Sequence, residues 1–144
     1  MQSIYSFRTL LLKSARLLTE QINEYLHTQQ LNYSLWQVLF VIDQYQQCTL
    51  IDIAQQLHIS QPAISKRIFE LEQKQCITFI PSNNRREKIV SLSPHGIKLF
   101  EYCKQQIDTI EKTHLTQIDP DALNLTKQVL QVFLKNLQDQ ESAQ

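Results

Sequence analysis

Residues 50–67 of the chain read LIDIAQQLHISQPAISKR, and this stretch decides the fold. Apolar residues recur at helical spacing over residues 50–57 and again after Ser60, which is a favourable N-cap residue. Pro62 suits the first turn of the second helix, because a backbone N–H there has no intrahelical partner. Ala54 is small at the point where the two helices must cross closely. The stretch therefore predicts a helix-turn-helix.

The outward face of the second helix has the composition of a DNA-reading surface. The outward side chains of its first two turns are Gln61, Ala63, Ser65, Lys66 and Arg67. Gln reads adenine, Ser suits several base edges, and Arg reads guanine or grips a phosphate. We predict that these residues, together with Ser60 and Pro62, bind double-stranded DNA in its major groove. The alternative is an ordinary helical hairpin with a solvated basic end.

The apolar pattern changes from helical to alternating after this motif. Residues 78–80 form a short β segment, a polar loop follows, and residues 88–92 alternate with period two. The pattern predicts a two-stranded hairpin, or wing, with Arg85, Arg86 and Lys88 near its tip. Such a wing reaches the neighbouring minor groove or the DNA backbone, and Arg suits the negative potential of a narrow minor groove. The alternative is a capping hairpin with solvated arginines.

The remainder of the chain is predicted to be helical. Gly96 is the only glycine, and an all-β chain of 144 residues would need many glycine-dependent turns. The predicted helices cover residues 4–28, residues 34–45 with Ser34 as the N-cap, and segments that start at the Ser93-Pro94 and Asp119-Pro120 signals. The first and last helices are apolar on more than one side, which indicates that each needs a partner. The predicted fold class is mainly α with a small β-hairpin wing.

Charge is segregated along the chain although the net charge is zero. Residues 61–98 carry a net charge of +4, whereas residues 1–60 carry −1 and residues 99–144 carry −3. A central basic block is expected where one surface meets phosphates.

Composition also bounds the compartment and the chemistry. The chain lacks an apolar run of 18 residues and a secretory signal pattern, so we expect neither a membrane partner nor export. Its three cysteines are widely spaced, without a C-x-x-C, which favours a reducing cytoplasm. The four histidines have no metal-ligand spacing, and neither a phosphate-binding glycine loop nor a nucleophile–base signature is present. We therefore expect no enzyme activity, metal or cofactor.

Residues 34–96 resemble the core of MarR-type transcriptional regulators. The stretches that carry the resemblance are LWQVL (35–39), DIAQQL (52–57), SQPAISKR (60–67), LEQK (71–74) and VSLSPHG (90–96). The resemblance implies a homodimer with entwined terminal helices, which presents two winged helix-turn-helix lobes to a pseudo-palindromic operator. Residues 1–30 and 97–144 would then form the dimerisation region, and residues 31–96 the DNA-binding lobe.

Two positions depart from the pattern of that family. Asn84 stands where the family usually has Asp two residues before the wing Arg86, so neutral hydrogen bonds must hold the wing in shape. Gln75 stands where the family tends to place Gly after the recognition helix. A non-glycine residue in a left-handed cap costs about 1 kcal/mol, so we expect this helix to end differently.

The resemblance also implies regulation, most simply a repressor that a small aromatic or anionic effector releases from DNA. Arg16 would neutralise a carboxylate, and Tyr33, Trp36 and Phe40 would line the pocket. The alternative for these side chains is ordinary packing or an ion pair between helices. Two other functions stay open: an oxidant-responsive regulator that acts through a cysteine, and a helical protein-interaction adaptor that does not bind DNA.

Overall fold

The computed structural model describes residues 4–84 and 87–142. The helices are α1 (Phe7–Thr28), α2 (Tyr33–Tyr45), α3 (Leu50–Leu57), α4 (Gln61–Gln73), α5 (Pro94–Leu115) and α6 (Pro120–Ser142). The strands are β1 (Cys48–Thr49), β2 (Ile77–Ile80) and β3 (Ile89–Leu92). This architecture confirms the predicted mainly α, winged helix-turn-helix fold. The chain divides into two compact units, Met1–Ile110 and Glu111–Gln144.

The core of the first unit is built around α2. Most apolar side chains of this helix are buried, and they meet Ile53 of α3 and Ile64 of α4 in one cluster. The ring of Trp36 stacks on that of Phe100 from α5, with centroids 4.8 Å apart. Ile53, Ala54, Ile64 and Ile68 are buried in this cluster and form the packing surface of the predicted helix-turn-helix.

Side-chain caps set the helix starts. Ser60 Oγ accepts a hydrogen bond from the N–H of Ala63, as predicted, and Thr49 and Asp52 form a reciprocal capping box at the start of α3. The predicted cap at Ser34 is wrong. The helix begins one residue earlier, because Asn32 Oδ1 accepts from the N–H of Leu35 at 2.8 Å.

The sheet has three strands rather than the two predicted. Its order is β1-β3-β2, with both pairs antiparallel and Cys48 opposite Val90. Strand β1 is only two residues long, too short to show alternation in the sequence. It joins the start of α3 to the wing, which we define as β2, β3 and their connection. The predicted tip residues Arg85 and Arg86 lie outside the described residues.

The end of α4 contradicts the expectation for Gln75. This residue adopts the left-handed conformation with φ 61°. The N–H of Gln75 donates to Glu72 O and that of Cys76 to Leu71 O, both at 2.9 Å, which is the Schellman pattern that glycine usually supports. The left-handed turn places the carbonyls of Gln75 and Cys76 within hydrogen-bond reach of the start of α5.

The start of α5 binds those two carbonyls. Ser93 Oγ donates to Gln75 O at 2.6 Å, and the N–H of Ser93 donates to Cys76 O at 3.0 Å. Ser93 also caps α5 by accepting from the N–H of Gly96. A Cβ atom on Gly96 would lie 1.9 Å from Cys76 O, so only glycine fits this approach.

Both terminal helices expose apolar side chains. Helix α1 begins at Phe7 rather than at residue 4, because Ser6 Oγ accepts from the N–H of Thr9. Its C-terminal part packs on the core through Leu26, whereas the N-terminal half exposes Leu12 and Leu17. Helix α6 starts at Pro120 as predicted, and none of its side chains, all within the described part of the chain, is buried. Within the described ranges, no helix combines the length and apolar character needed to cross a membrane.

Candidate nucleic-acid interface

Helix α4 has a buried side and an exposed polar side. Ile64, Ile68 and Leu71 are its buried residues, and they fix the helix on the core. Its exposed residues in the first two turns include Gln61, Pro62, Ser65 and Lys66, whereas Ala63 and Arg67 are partly buried. The predicted face is therefore presented to solvent, with its hydrogen-bonding groups available to a ligand.

The structure brings α4 and the connection between β2 and β3 together around one cleft. Gln61, Ser65 and Lys88 are among the residues that line this cleft, and its volume is about 250 Å³. Side chains that carry an amide, a hydroxyl and an ammonium group thus line one cleft from two elements. These groups match the acceptors and donors of base edges and the charge of phosphates.

Lys88 is positioned by an aromatic ring of the wing. Its Nζ atom lies 5.6 Å from the centroid of Phe79 on β2, within cation–π range. This contact restricts the rotamers of the Lys88 side chain, so less rotamer freedom is lost when the ammonium group meets a phosphate.

Sequence reasoning missed four cleft residues. They are Thr49, Leu50, Ile51 and Glu87. The T-x-x-D pattern of a capping box marks the first of them in the sequence. Glu87 carries the only negative charge among the lining residues; a carboxylate accepts from cytosine N4 but repels phosphate. No sequence signal distinguished it from an ordinary wing residue.

Arg67 makes a contact that the sequence did not indicate. Its Nη1 atom donates to Ser34 O, in the first turn of α2, at 3.5 Å. The side chain thus braces α4 against α2, while its other guanidinium N–H groups stay available. The predicted contacts Arg85 and Arg86 fall outside the residues that the structure describes.

The residues predicted to form an effector pocket differ in how exposed their side chains are. Trp36 is 7% exposed and belongs to the core, whereas Phe40 is 41% exposed with its ring 6.4 Å from that of Phe100. Tyr33 is partly buried. Arg16 forms an exposed ion pair with Glu20 on α1, at 3.2 Å. The structure therefore brings the two aromatic rings together around Phe100 and directs the arginine to a neighbour on its own helix.

The three cysteines are free and buried. Burial, with the charge of Asp52 as a second cause, raises the pKa of Cys48 to about 11. Burial likewise raises the pKa of Cys76, against the opposing charge of Lys74, and that of Cys103. A reactive sensor thiol needs exposure and a lowered pKa, so these environments disfavour oxidant control. Among residues 4–84 and 87–142, no group of three or more His, Cys, Asp or Glu side chains is arranged to hold a metal.

Comparison with known proteins agrees with this geometry. Residues 31–88 match the model of the MarR family. The uncharacterized HTH-type transcriptional regulator YwoH of Bacillus subtilis (strain 168) is 24% identical over 123 residues, which cover 85% of this chain and 90% of that protein. A solved complex of S. aureus MepR with DNA shares the fold with a TM-score of 0.81 at 23% identity, over 92% of this chain and 98% of that one. The complex of NadR with 4-hydroxyphenylacetate gives a TM-score of 0.75 at 20% identity, over 92% and 96%.

A helix-turn-helix followed by a wing, with basic and polar groups on the second helix, defines a winged helix-turn-helix DNA-binding protein. Within that class, residues 31–88 are similar to the MarR family of transcriptional regulators. This similarity favours a DNA-binding regulator over both an enzyme and an adaptor without DNA affinity.

Proposed function

We propose that the protein is a dimeric repressor that binds a pseudo-palindromic operator through two copies of its lobe, residues 31–96. The observation that carries the proposal is the cleft that Gln61 and Ser65 of α4 line together with Lys88 of the wing. One element supplies groups for base edges and the other supplies charge for the backbone, so a single lobe contacts both parts of the duplex. Such a repressor works in the cytoplasm, and free thiols suit that compartment.

Each predicted contact has a role in this proposal. Gln61 and Ser65 read base edges, and Lys66 and Lys88 neutralise phosphates. The residues that form the N-terminal turn of α4 and bring it close to the backbone are Ser60, Pro62 and Ala63. Arg67 holds α4 on α2 and directs its remaining N–H groups to a phosphate. Arg85 and Arg86 are proposed as further wing contacts.

Footprinting of the DNA upstream of the gene tests the proposal. We expect a protected segment with two half-sites whose centres lie about one helical turn (~34 Å) apart, and an affinity that falls steeply with salt. Absence of protection at low salt, with the chain folded by circular dichroism, would contradict DNA binding.

The dimer is proposed from two exposed apolar faces. Helix α1 exposes Phe7, Leu10, Leu12 and Leu17, and α6 separately exposes Leu125, Val129, Val132, Leu134 and Leu137. Such stripes on terminal helices are disfavoured in water and favour burial against a second copy. The proposed dimerisation region accordingly comprises residues 1–30 and 97–144.

The effector is proposed to be a small aromatic acid. Phe40 offers an exposed ring beside the Trp36–Phe100 stack, and the solvent-screened pair of Arg16 with Glu20 costs little to exchange for a ligand carboxylate. The NadR complex with 4-hydroxyphenylacetate shows that a protein of this fold binds such a compound.

Calorimetric titration with 4-hydroxyphenylacetate tests this proposal. We expect binding to the wild type, weaker binding to Phe40→Ala and weaker binding to Arg16→Ala. An unchanged affinity for Arg16→Ala removes that residue from the site, and no heat of binding to the wild type rejects this ligand.

A further inference from the structure

Phe69 is a large apolar side chain on the exposed side of α4. It is 62% exposed, whereas Phe is usually found in protein cores. The core contacts of α4 come from Ile64, Ile68 and Leu71, so the fold does not require an aromatic ring at this position. Within the described part of the chain, the ring of Phe69 stacks on no other aromatic side chain.

Helical geometry places Phe69 on the same exposed side of α4 as Ser65 and Lys66. Residues three and four positions apart are neighbours on a helix surface, so Phe69 adjoins both of them. Its Cα lies about 12 Å along the helix axis from that of Gln61, at 1.5 Å per residue, so Phe69 extends the proposed DNA-reading face by one turn toward the C-terminus of α4. Helical side chains lean toward the N-terminus, which directs the ring toward the turn that holds Ser65.

The major groove presents one apolar group that the ring of Phe69 can contact. Thymine is the only base that presents an apolar group there, its C5-methyl, and Phe is suited to contact it. Lys66, beside the ring, neutralises a phosphate, so the helix can approach closely enough for the contact. Removal of the exposed ring and the methyl from water then favours binding.

We infer that Phe69 is a specificity-determining residue that packs against a thymine methyl group in each operator half-site. The inference rests on the proposed function, since it assigns a base preference to the same interface. It adds a large aromatic contact to a reading surface whose other members are small, polar or basic.

Replacement of thymine by deoxyuridine removes this methyl group and leaves base pairing unchanged. In the footprinted operator, each thymine is replaced in turn, and the Kd is measured for the wild type, Phe69→Ala and Phe69→Leu. At one thymine per half-site we expect the wild type to lose about fourfold in affinity. At that position Phe69→Ala should bind the thymine operator and the deoxyuridine operator with equal affinity. Phe69→Leu should keep part of the preference for thymine.

Two controls separate this inference from the function on which it rests. Gln73→Ala, one turn further along α4, should retain the wild-type preference, and Phe69→Ala should retain the wild-type salt dependence because no charge is removed. If Phe69→Ala discriminates thymine from deoxyuridine as the wild type does, or no replacement weakens the wild type, the inference is wrong although operator binding stands. If the wild type does not bind the duplex at all, both the proposed function and the inference about Phe69 are wrong. If Phe69→Ala binds every operator variant with the wild-type affinity, the inference is also wrong, and the ring has another partner.

Discussion

Gly96 lies where the first turn of α5 meets the backbone of Cys76. A Cβ atom there would approach Cys76 O to 1.9 Å, and the hydrogen bonds of Ser93 hold the two segments in place. Helix propensity alone predicts that Gly96→Ala stabilises α5. We expect the reverse, a loss of about 2–3 kcal/mol in the free energy of unfolding, measured by urea denaturation.

Lys98→Ala is the matched control for this substitution, because Lys98 is exposed on the same turn. Its free energy of unfolding should change by less than about 0.5 kcal/mol. A Gly96→Ala protein as stable as the wild type would show that the close approach is not required.

The Cys48 thiol makes stability depend on alkaline pH. Its pKa is about 11 in the folded chain against 9.0 for an ordinary cysteine, so the unfolded chain loses this proton first as the pH rises. The contribution of Cys48 to the free energy of unfolding should therefore be constant below pH 9. This contribution should fall by about 1.4 kcal/mol per pH unit between pH 9 and 11.

Urea denaturation at pH 8.0 and 10.5 measures this dependence. Cys48→Ala removes one titrating group and should show a shallower decline than the wild type. Identical declines for the two proteins would mean that the thiol ionises in the folded chain as readily as in the unfolded one.

At the scale of elements, the left-handed end of α4 is strained by its side chain. Gln75 has φ 61° and an exposed side chain. Gln75→Gly should raise the free energy of unfolding by about 0.5–1 kcal/mol, because glycine adopts this conformation without steric cost. Gln55→Gly, inside α3, is the opposite control and should lower it by about 0.5–1 kcal/mol. A decrease in both variants would argue against strain at Gln75.

Lys66 and Arg67 are adjacent on α4 but have different environments. Lys66 is exposed, whereas Arg67 is partly buried and donates to Ser34 O on α2. Lys66→Ala should flatten the salt dependence of operator binding by about one ion per lobe, with no change in stability. Arg67→Ala should weaken binding and also lower the free energy of unfolding by about 1 kcal/mol.

Gel-shift titrations at several salt concentrations, combined with urea denaturation, separate the two effects. Lys98→Ala serves again as the control, since it removes a positive charge that lies outside α4 and the wing. Equal losses of stability in the Lys66 and Arg67 variants would contradict the bracing role of Arg67.

At the scale of the whole molecule, the exposed face of α6 is expected to hold the dimer together. Leu125, Val129 and Val132 form one apolar surface on this helix. The double variant Leu125→Lys, Val132→Lys puts two charges on that surface and should convert the dimer into single chains of 17.0 kDa. Light scattering after size exclusion measures the mass, and circular dichroism checks that the chain stays helical.

Gln131→Lys adds one charge on the polar side of α6, away from Leu125, Val129 and Val132, and should leave the mass of two chains unchanged. If the wild type elutes as a single chain at all concentrations, the proposed dimer is wrong. The proposal that two lobes bind a pseudo-palindromic operator is then wrong as well.

Features that arise within one turn or one strand could be predicted from the order of residues alone. The start of α4 at Ser60 and the start of α5 at Ser93 follow from hydrogen bonds between residues three apart. Such local bonds leave a readable pattern of residue types, as do the 3.6- and 2-residue periods of the helices and of the wing. The helix-turn-helix, the wing and the exposed polar face of α4 were predictable for this reason.

Contacts between segments that are distant in the chain became known only from the folded structure. Cys48 pairs with Val90 in the sheet, Arg67 reaches a carbonyl 33 residues away, and Glu87 enters the cleft beside Gln61. Trp36 and Phe40 share one helix period, yet one is buried and the other exposed. These outcomes depend on which surfaces surround each side chain, and a linear pattern of residue types does not specify those surfaces.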